Sequence, residues 1–228
     1  MVTSRQGGYS RAPYDTFNLG DHVGDLPESV DRNRGRLAAE LTLDPRSLAW
    51  MDQVHGDQVT LIGPTPQAQP PVCDGLVTAS RGVALIVLAA DCVPVLLADQ
   101  EAAVVGAAHA GREGVRKGVA ARTVEAMVAL GASPPNIEAL LGPAICGRCY
   151  EVSEELMDAV ETAAPGGARR SRTGAPSLDL RTALAGQLAG LGVNRVVNDP
   201  RCTAEDPMLF SHRRDGVTGR QAGIIWLT

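Results

Sequence analysis

His55 in DQVHGDQV, Cys92 in LAADCVPVLLAD and His109 in VVGAAHAG are the side chains of this sequence best placed to do chemistry together. Each lies beside, or at the end of, an apolar run that reads as a buried strand. Two imidazoles and one thiolate brought together make a three-ligand zinc site whose fourth position stays free for water or substrate. That is the pattern of a catalytic zinc, whereas a structural zinc is closed by four protein ligands. The separations are long, with 36 residues between the first pair and 16 between the second. Spacing alone therefore leaves a second reading open, in which Cys92 is a small buried hydrophobe and the histidines are polar residues at strand ends.

Other segments carry weaker signals. NLGDHVGD (18–25) gathers Asn18, His22 and two glycines, which suits either a ligand-binding loop or a capped turn. CGRCYEV (146–152) holds a CxxC, Cys146 and Cys149, with Cys202 as a possible third thiol. No second CxxC completes a zinc ribbon, and Tyr150–Val152 intervenes before the next helix, so neither a second metal nor a redox site is expected here. SHRRDGVTGR (211–220) reads as a hairpin able to present guanidiniums to an anion, or as a charged surface turn. GREGVRKGV (111–119) is a glycine-rich entry to a helix. Neither a GxxxxGK[ST] phosphate loop nor a GxSxG nucleophile elbow is present.

The elements that must position these residues follow from periodicity and breakers. Residues 1–27 form a loop-rich lead-in and 28–41 a helix, with short strands near 48–54 and 58–62. PTPQAQPP (64–71) is a surface loop. Three apolar runs, 83–90, 93–99 and 103–110, read as buried strands, with Pro94 tolerated where its missing N–H is not needed. A helix is expected over 113–130, stopping at Gly131, then a strand at 137–142 and a helix at 153–164 capped by Ser153. Residues 164–177 read as a flexible insertion loop. A helix ending at Gly192 and two last strands, NRVVND and AGIIWLT, complete the chain. Mixed strands and helices in irregular alternation indicate an α+β fold, read as one domain over 1–228.

Composition narrows the function classes. Hydrophobic residues at 44% and charged ones at 21% are ordinary for a globular protein, and 3% aromatics leave the core to aliphatic side chains. A formal net charge of −5 argues against a nucleic-acid binder. No apolar run reaches the roughly 18 residues of a membrane span, and the N-terminus lacks the apolar core of a secretory signal. Five cysteines without short regular spacing suit a reducing, cytoplasmic setting.

Taken in order, SRQGGYSRAPYDTFNLGDHVGD, DRNRGRL, DQVHG, CDGLVT, ADCVPVLLAD, AAHAG, GPAICGRCYEV, RCT and FSHRRDGVTGRQAGIIWL span about residue 4 to 228. This set resembles the YfiH-like laccase-domain family, also described as multicopper polyphenol oxidases or peptidoglycan editing factors, whose members act as zinc-dependent purine nucleoside phosphorylases. The resemblance implies packed mixed β-sheets flanked by helices in α/β/β/α layers. It makes His55, Cys92 and His109 the ligands of a catalytic Zn2+, with Cu2+ as an adventitious occupant. It also implies phosphorolysis of adenosine, inosine, guanosine and 5′-methylthioadenosine, and deamination of adenosine. Purine nucleosides and phosphate would be the partners of a monomer or weak homodimer. From motif position and chemistry, Arg5 and Arg11, and after them Arg213 and Arg214, are candidates to hold phosphate, with Asn18 and His22 for ribose or base.

The chain departs from the family pattern at three places. HAGWRG becomes His109-Ala110-Gly111-Arg112-Glu113-Gly114, which sets a carboxylate where an arginine is usual. GPxIGxCCYEV becomes Gly142 to Val152 with one cysteine moved and Arg148 added, and SYRRDG becomes Ser211 to Gly216 with His212 for tyrosine. Two other activities stay open: a hydrolase of cell-wall precursors with Cys92 as nucleophile activated by His109, and copper-dependent phenol oxidation. The second is disfavoured because the chain has only four histidines.

Overall fold

In the computed structural model, which describes residues 1–228, the apolar runs do form the central strands. In chain order the elements are α1 (Pro27–Leu41), β1 (Leu48–Ala49), β2 (Val59–Leu61), β3 (Gly75–Thr78), β4 (Ala84–Ala89), β5 (Val93–Asp99) and β6 (Val104–Ala110). There follow α2 (Arg112–Lys117), α3 (Val119–Ala129), β7 (Glu138–Leu141), α4 (Glu154–Ala163), β8 (Ala168–Arg170) and β9 (Pro176–Leu178). The last are α5 (Leu180–Gly190), β10 (Arg195–Asn198), α6 (His212–Asp215) and β11 (Gln221–Trp226). Six strands form a mixed sheet in the order β10-β7-β5-β6-β3-β2, three form a second sheet in the order β1-β4-β11, and β8 and β9 pair as a separate hairpin.

Strand pleat explains the layering. In β4, Leu85 and Val87 point at Leu76, Leu96, Val105 and Ala107 of the large sheet, while Ala84, Ile86 and Leu88 meet Leu37, Ala38 and Leu41 of α1. In β5, Val93, Val95 and Leu97 turn the other way, into a core shared with α2, α3, α4 and α5. Four layers result: α1, small sheet, large sheet, and the remaining helices. Because both faces of β4 to β6 are covered, these strands read as continuous apolar runs and not as alternations. The expected α+β fold in α/β/β/α layers is therefore what the chain adopts. No helix is long and apolar enough to cross a membrane.

Several boundaries differ from the sequence expectation. The helix expected over 113–130 is two helices, broken at Gly118, whose φ of +83° lets its N–H turn back to the carbonyls of Gly114 and Val115. The strand near 48–54 shrinks to two residues, because the chain then leaves the sheet to carry His55. β3, four residues long, falls below the length at which a period shows. Pro94 lies opposite Gly142, just past the end of β7; its carbonyl accepts from Gly142 N–H at 2.9 Å, and the return bond its missing N–H would make falls at the very end of that ladder. Residues 164–177, read as a flexible insertion loop, carry the β8–β9 hairpin. The Glu161 carboxylate accepts the N–H groups of Gly166, Gly167 and Ala168 at 2.8–2.9 Å, and Glu151 accepts from Ser171 and Thr173, which organises the turn. Carboxylate acceptors reaching across a turn in this way leave no hydrophobic period to read.

Candidate metal centre and its cavity

Three separate elements deliver the three ligands. His109 lies in β6, Cys92 in the turn between β4 and β5, and His55 in the loop after β1. Their donor atoms all fall within 4.8 Å of one another, with Cys92 Sγ 3.9 Å from His55 Nε2. The ring centroids of His55 and His109 are 4.8 Å apart in an edge-on arrangement. The strand register sets half of this geometry, since His109 pairs with Pro94 two residues after Cys92.

Asp74, which is fully buried, organises the other half. Its carboxylate accepts from His109 Nδ1 at 2.8 Å, which orients the ring and leaves Nε2 for the metal. It also accepts the backbone N–H groups of Val54, His55 and Gly56 at 3.1, 3.0 and 2.6 Å. That cradle holds His55 at a φ of +58°, a conformation a non-glycine residue adopts only when its surroundings impose it. Burial alone would raise the Asp74 pKa; these bonds outweigh it and hold the carboxylate below its ordinary value. Gln53 fixes the same loop from its other end, exchanging two hydrogen bonds with the backbone of Leu88 at 2.8 and 2.9 Å. Gly111 leaves the space the ligands need, because a Cβ there would lie 2.9 Å from both Cys92 Sγ and His55 Cδ2.

The electrostatics suit a cation. Burial would raise the Cys92 thiol, but the charge of His109 and hydrogen bonds from both histidines bring it down to about 6. His109, which burial would lower, is raised to about 9 by Cys92 and Asp74. The metal-free pair is thus a thiolate beside an imidazolium, and a divalent ion can replace the shared proton. The donor set, the oriented imidazole and the room left by Gly111 all fit a zinc ion.

A cavity of about 430 Å³ opens over these residues, within the range of small-molecule sites. Leu88, Ile145 and Tyr150 give it apolar walls, and His22, His212, Arg213 and Arg220 also line it. Arg213 packs its guanidinium 5.1 Å from the Tyr150 ring centroid and donates through Nη1 to the Glu151 carbonyl at 3.1 Å. Arg220 donates through Nη1 to the carbonyls of Thr218 and Gly219 at 3.0 Å. In both, Nε and Nη2 make no protein hydrogen bond. Burial draws the Arg220 pKa down, against the pull of Cys92 and Asp91, yet a guanidinium stays charged. Asp91, at a φ of +96°, ties the Cys92 turn to this wall by accepting from Thr203, Ser211 and the Arg213 N–H at 2.6–2.7 Å.

Of the residues singled out in the sequence, His55, Cys92, His109, His22 and Arg213 meet at this cavity. Four others do not line it. Arg5 stacks 4.9 Å over the Phe210 ring and pairs with Asp15 and Asp215. Arg11 is exposed on the N-terminal segment. Arg214 spends its guanidinium on the carbonyls of Thr203, Asp206 and Leu209. Asn18 is buried and structural, its Oδ1 accepting the N–H groups of Gly20 and Arg220 at 2.9 Å. Glu113 bonds to Arg116 at 3.0 Å and lies off the cavity, so it places no negative charge there. Sequence reasoning missed Asp74, Asp91 and Tyr150, and held His212 and Arg220 only as part of the SHRRDGVTGR segment. All five lie inside the quoted motifs, but nothing local says which side chain of a motif turns inward.

Comparison with known proteins places this geometry in context. A family model described as "Multi-copper polyphenol oxidoreductase laccase" matches residues 1–228. A protein of Streptomyces griseus named purine nucleoside phosphorylase is 53% identical over 227 residues, covering 99% of this chain and 92% of the relative. One of the same name from Mycobacterium tuberculosis is 51% identical over 227 residues, covering 100% and 91%. The crystal structure of the Bacillus licheniformis hypothetical protein YfiH has a TM-score of 0.93 at 31% identity, covering 100% of this chain and 91% of that one.

Proposed function

The chain belongs to the multi-copper polyphenol oxidoreductase laccase family, and from that premise we propose that it is a zinc-dependent purine nucleoside phosphorylase. Relatives at about half identity carry the phosphorylase name. The observation that carries the reading is the meeting, in one cavity, of a His₂Cys donor set with two arginines whose donors are not fully spent. Adenosine, inosine, guanosine and 5′-methylthioadenosine are the proposed substrates, with deamination of adenosine as a side activity.

His55, Cys92 and His109 would hold the ion, which would supply Lewis-acid chemistry when bound. Arg213 and Arg220 bind phosphate, and their fixed guanidiniums need no reorganisation as it reacts. Leu88, Ile145 and Tyr150 enclose the purine. A phosphate oxygen then forms a bond to the ribose anomeric carbon as the carbon–nitrogen bond to the base breaks. The bonding pair leaves with the purine, which takes up a proton, and His22 and His212 are the imidazoles in the wall able to supply one. His212 Nδ1 donates to the Gly216 carbonyl at 2.7 Å, so Nε2 is the atom that would give the proton, from the imidazolium form.

The test is an assay on metal-quantified protein. Adenosine is incubated with and without phosphate, and adenine, inosine and hypoxanthine are resolved by chromatography. Phosphate-dependent release of adenine is expected, lost in Cys92→Ala. Arg220→Ala should raise the KM for phosphate about 10- to 100-fold, the worth of a charged hydrogen bond. Absence of turnover with zinc bound would sink the assignment. Turnover by metal-free protein that is killed by thiol alkylation would favour the Cys92 hydrolase instead. Copper-dependent phenol oxidation has less support, since only His55 and His109 of the four histidines have ring nitrogens grouped with Cys92.

A further inference from the structure

The CxxC expected to be inert has company in the folded chain. Cys146, Cys149, Cys202 and Glu205 bring their ligand atoms within 4.8 Å of one another. Two turns of equal length face each other, Cys146-Gly147-Arg148-Cys149 and Cys202-Thr203-Ala204-Glu205. In each, the fourth residue's N–H bonds back to the first residue's carbonyl, Cys149 to Cys146 at 2.9 Å and Glu205 to Cys202 at 3.0 Å. The turns are bridged by Cys146 N–H donating to Cys202 Sγ at 3.3 Å and Thr203 N–H donating to the Ala144 carbonyl at 3.2 Å. Cys149 Sγ donates to Glu205 Oε1 at 3.2 Å, and Cys146 Sγ lies 4.0 Å from the same oxygen.

From this pair of facing turns we propose a second, structural zinc site closed by Cys146, Cys149, Cys202 and Glu205. Four donors and no open position are what a structural zinc takes, and a carboxylate oxygen is an accepted zinc ligand alongside thiolates. Charge also balances. Three thiolates, one carboxylate and Zn2+ sum to −2, and the guanidiniums of Arg148 and Arg172, both paired with Glu205, bring the group to zero. Binding replaces the thiol protons, which leave to solvent. The fourth ligand was invisible in the sequence because it is a glutamate 56 residues beyond Cys149, not a second CxxC.

The site would brace the wall of the main cavity. Ile145 and Tyr150 flank the first turn and line that cavity. The second turn and the residue after it supply the Thr203 and Asp206 carbonyls that hold Arg214, the neighbour of Arg213.

Zinc and cobalt loading test this. Full-length protein, kept reduced, is loaded with Zn2+, desalted, and its metal counted by mass spectrometry. Two zinc ions per chain are expected, falling to one in Cys149→Ser and to one in Cys92→Ala. Should Cys149→Ser fold poorly, Co2+ reads the site without altering it. Cobalt-loaded Cys92→Ala should keep one ion with a strong thiolate-to-metal charge-transfer band, the product of three sulfurs. One zinc per wild-type chain, abolished by Cys92→Ala and untouched by Cys149→Ser, would overturn the proposal. So would a Cys92→Ala chain that binds cobalt without that band, or a disulfide among the three cysteines in the reduced, zinc-treated protein.

Discussion

At the scale of single residues, the proposed metal centre depends on groups that would not touch the ion. Asp74 both turns His109 and holds the backbone that carries His55, and Gly111 keeps the space between the ligands open. Gly111 has φ −77° and ψ 177°, which alanine adopts freely, so Gly111→Ala tests the space alone. The added methyl would stand 2.9 Å from Cys92 Sγ and His55 Cδ2. We expect this variant to fold and to lose at least ten-fold in zinc affinity, measured by competition with a chromophoric chelator. Unchanged affinity would show that the ligands can yield. The three candidate ligands, which the fold brings together, were legible as His and Cys beside apolar runs. Asp74 was not, because its role depends on one carboxylate reaching backbone from 18 to 20 residues earlier in the chain.

At the scale of elements, strands buried on both faces announced themselves and short or bent pieces did not. β4, β5 and β6 are long apolar runs; β3 is set by β6, a partner far away in the chain, and β8 is a three-residue strand held in a local hairpin with β9. Asp99, at the end of β5, shows how such partners act. It is 1% exposed and accepts the N–H groups of Ala102 and Ser133 at 3.0 and 2.8 Å, fastening the β5–β6 turn to the segment after α3. Asp99→Ala should cost about 1–3 kcal/mol by urea unfolding, since two backbone N–H groups lose a charged acceptor. Burial would raise the Asp99 pKa, but the backbone bonds outweigh it and hold it below its ordinary value. A depressed folded pKa gives stability that is full above the unfolded value of about 4 and is lost as pH falls through the folded one. The gap between wild type and variant should therefore be flat near neutrality and narrow only below about pH 4. A gap that persisted at pH 2 would locate its source in packing.

At the scale of the whole molecule, the four layers leave the main cavity at one end of both sheets, where β4 of the small sheet hands the chain to β5 of the large one. The ligands come from both sides of that crossing, so an ion there ties the sheets together. An ion that binds only the folded chain adds about 1.4 kcal/mol for each ten-fold rise in free concentration above its Kd. Thermal unfolding at graded free Zn2+ should show that slope once for each site. Cys92→Ala should lose one share of it, and a slope unaltered in that variant would mean that the ligand loops hold zinc equally well when unfolded.

The register of β5 against β6 carries a last consequence. His109 faces Pro94, and its strand neighbours Ala108 and Ala110 belong to the opposite face, in the core beneath the helices. Slipping the pair by one residue would exchange the two faces. An alanine would then stand where the imidazole belongs, and the histidine would be driven into apolar surroundings. A chain whose central hairpin zips out of step therefore cannot bring His109 to Cys92 and His55, so metal binding at the proposed site would report the correct register.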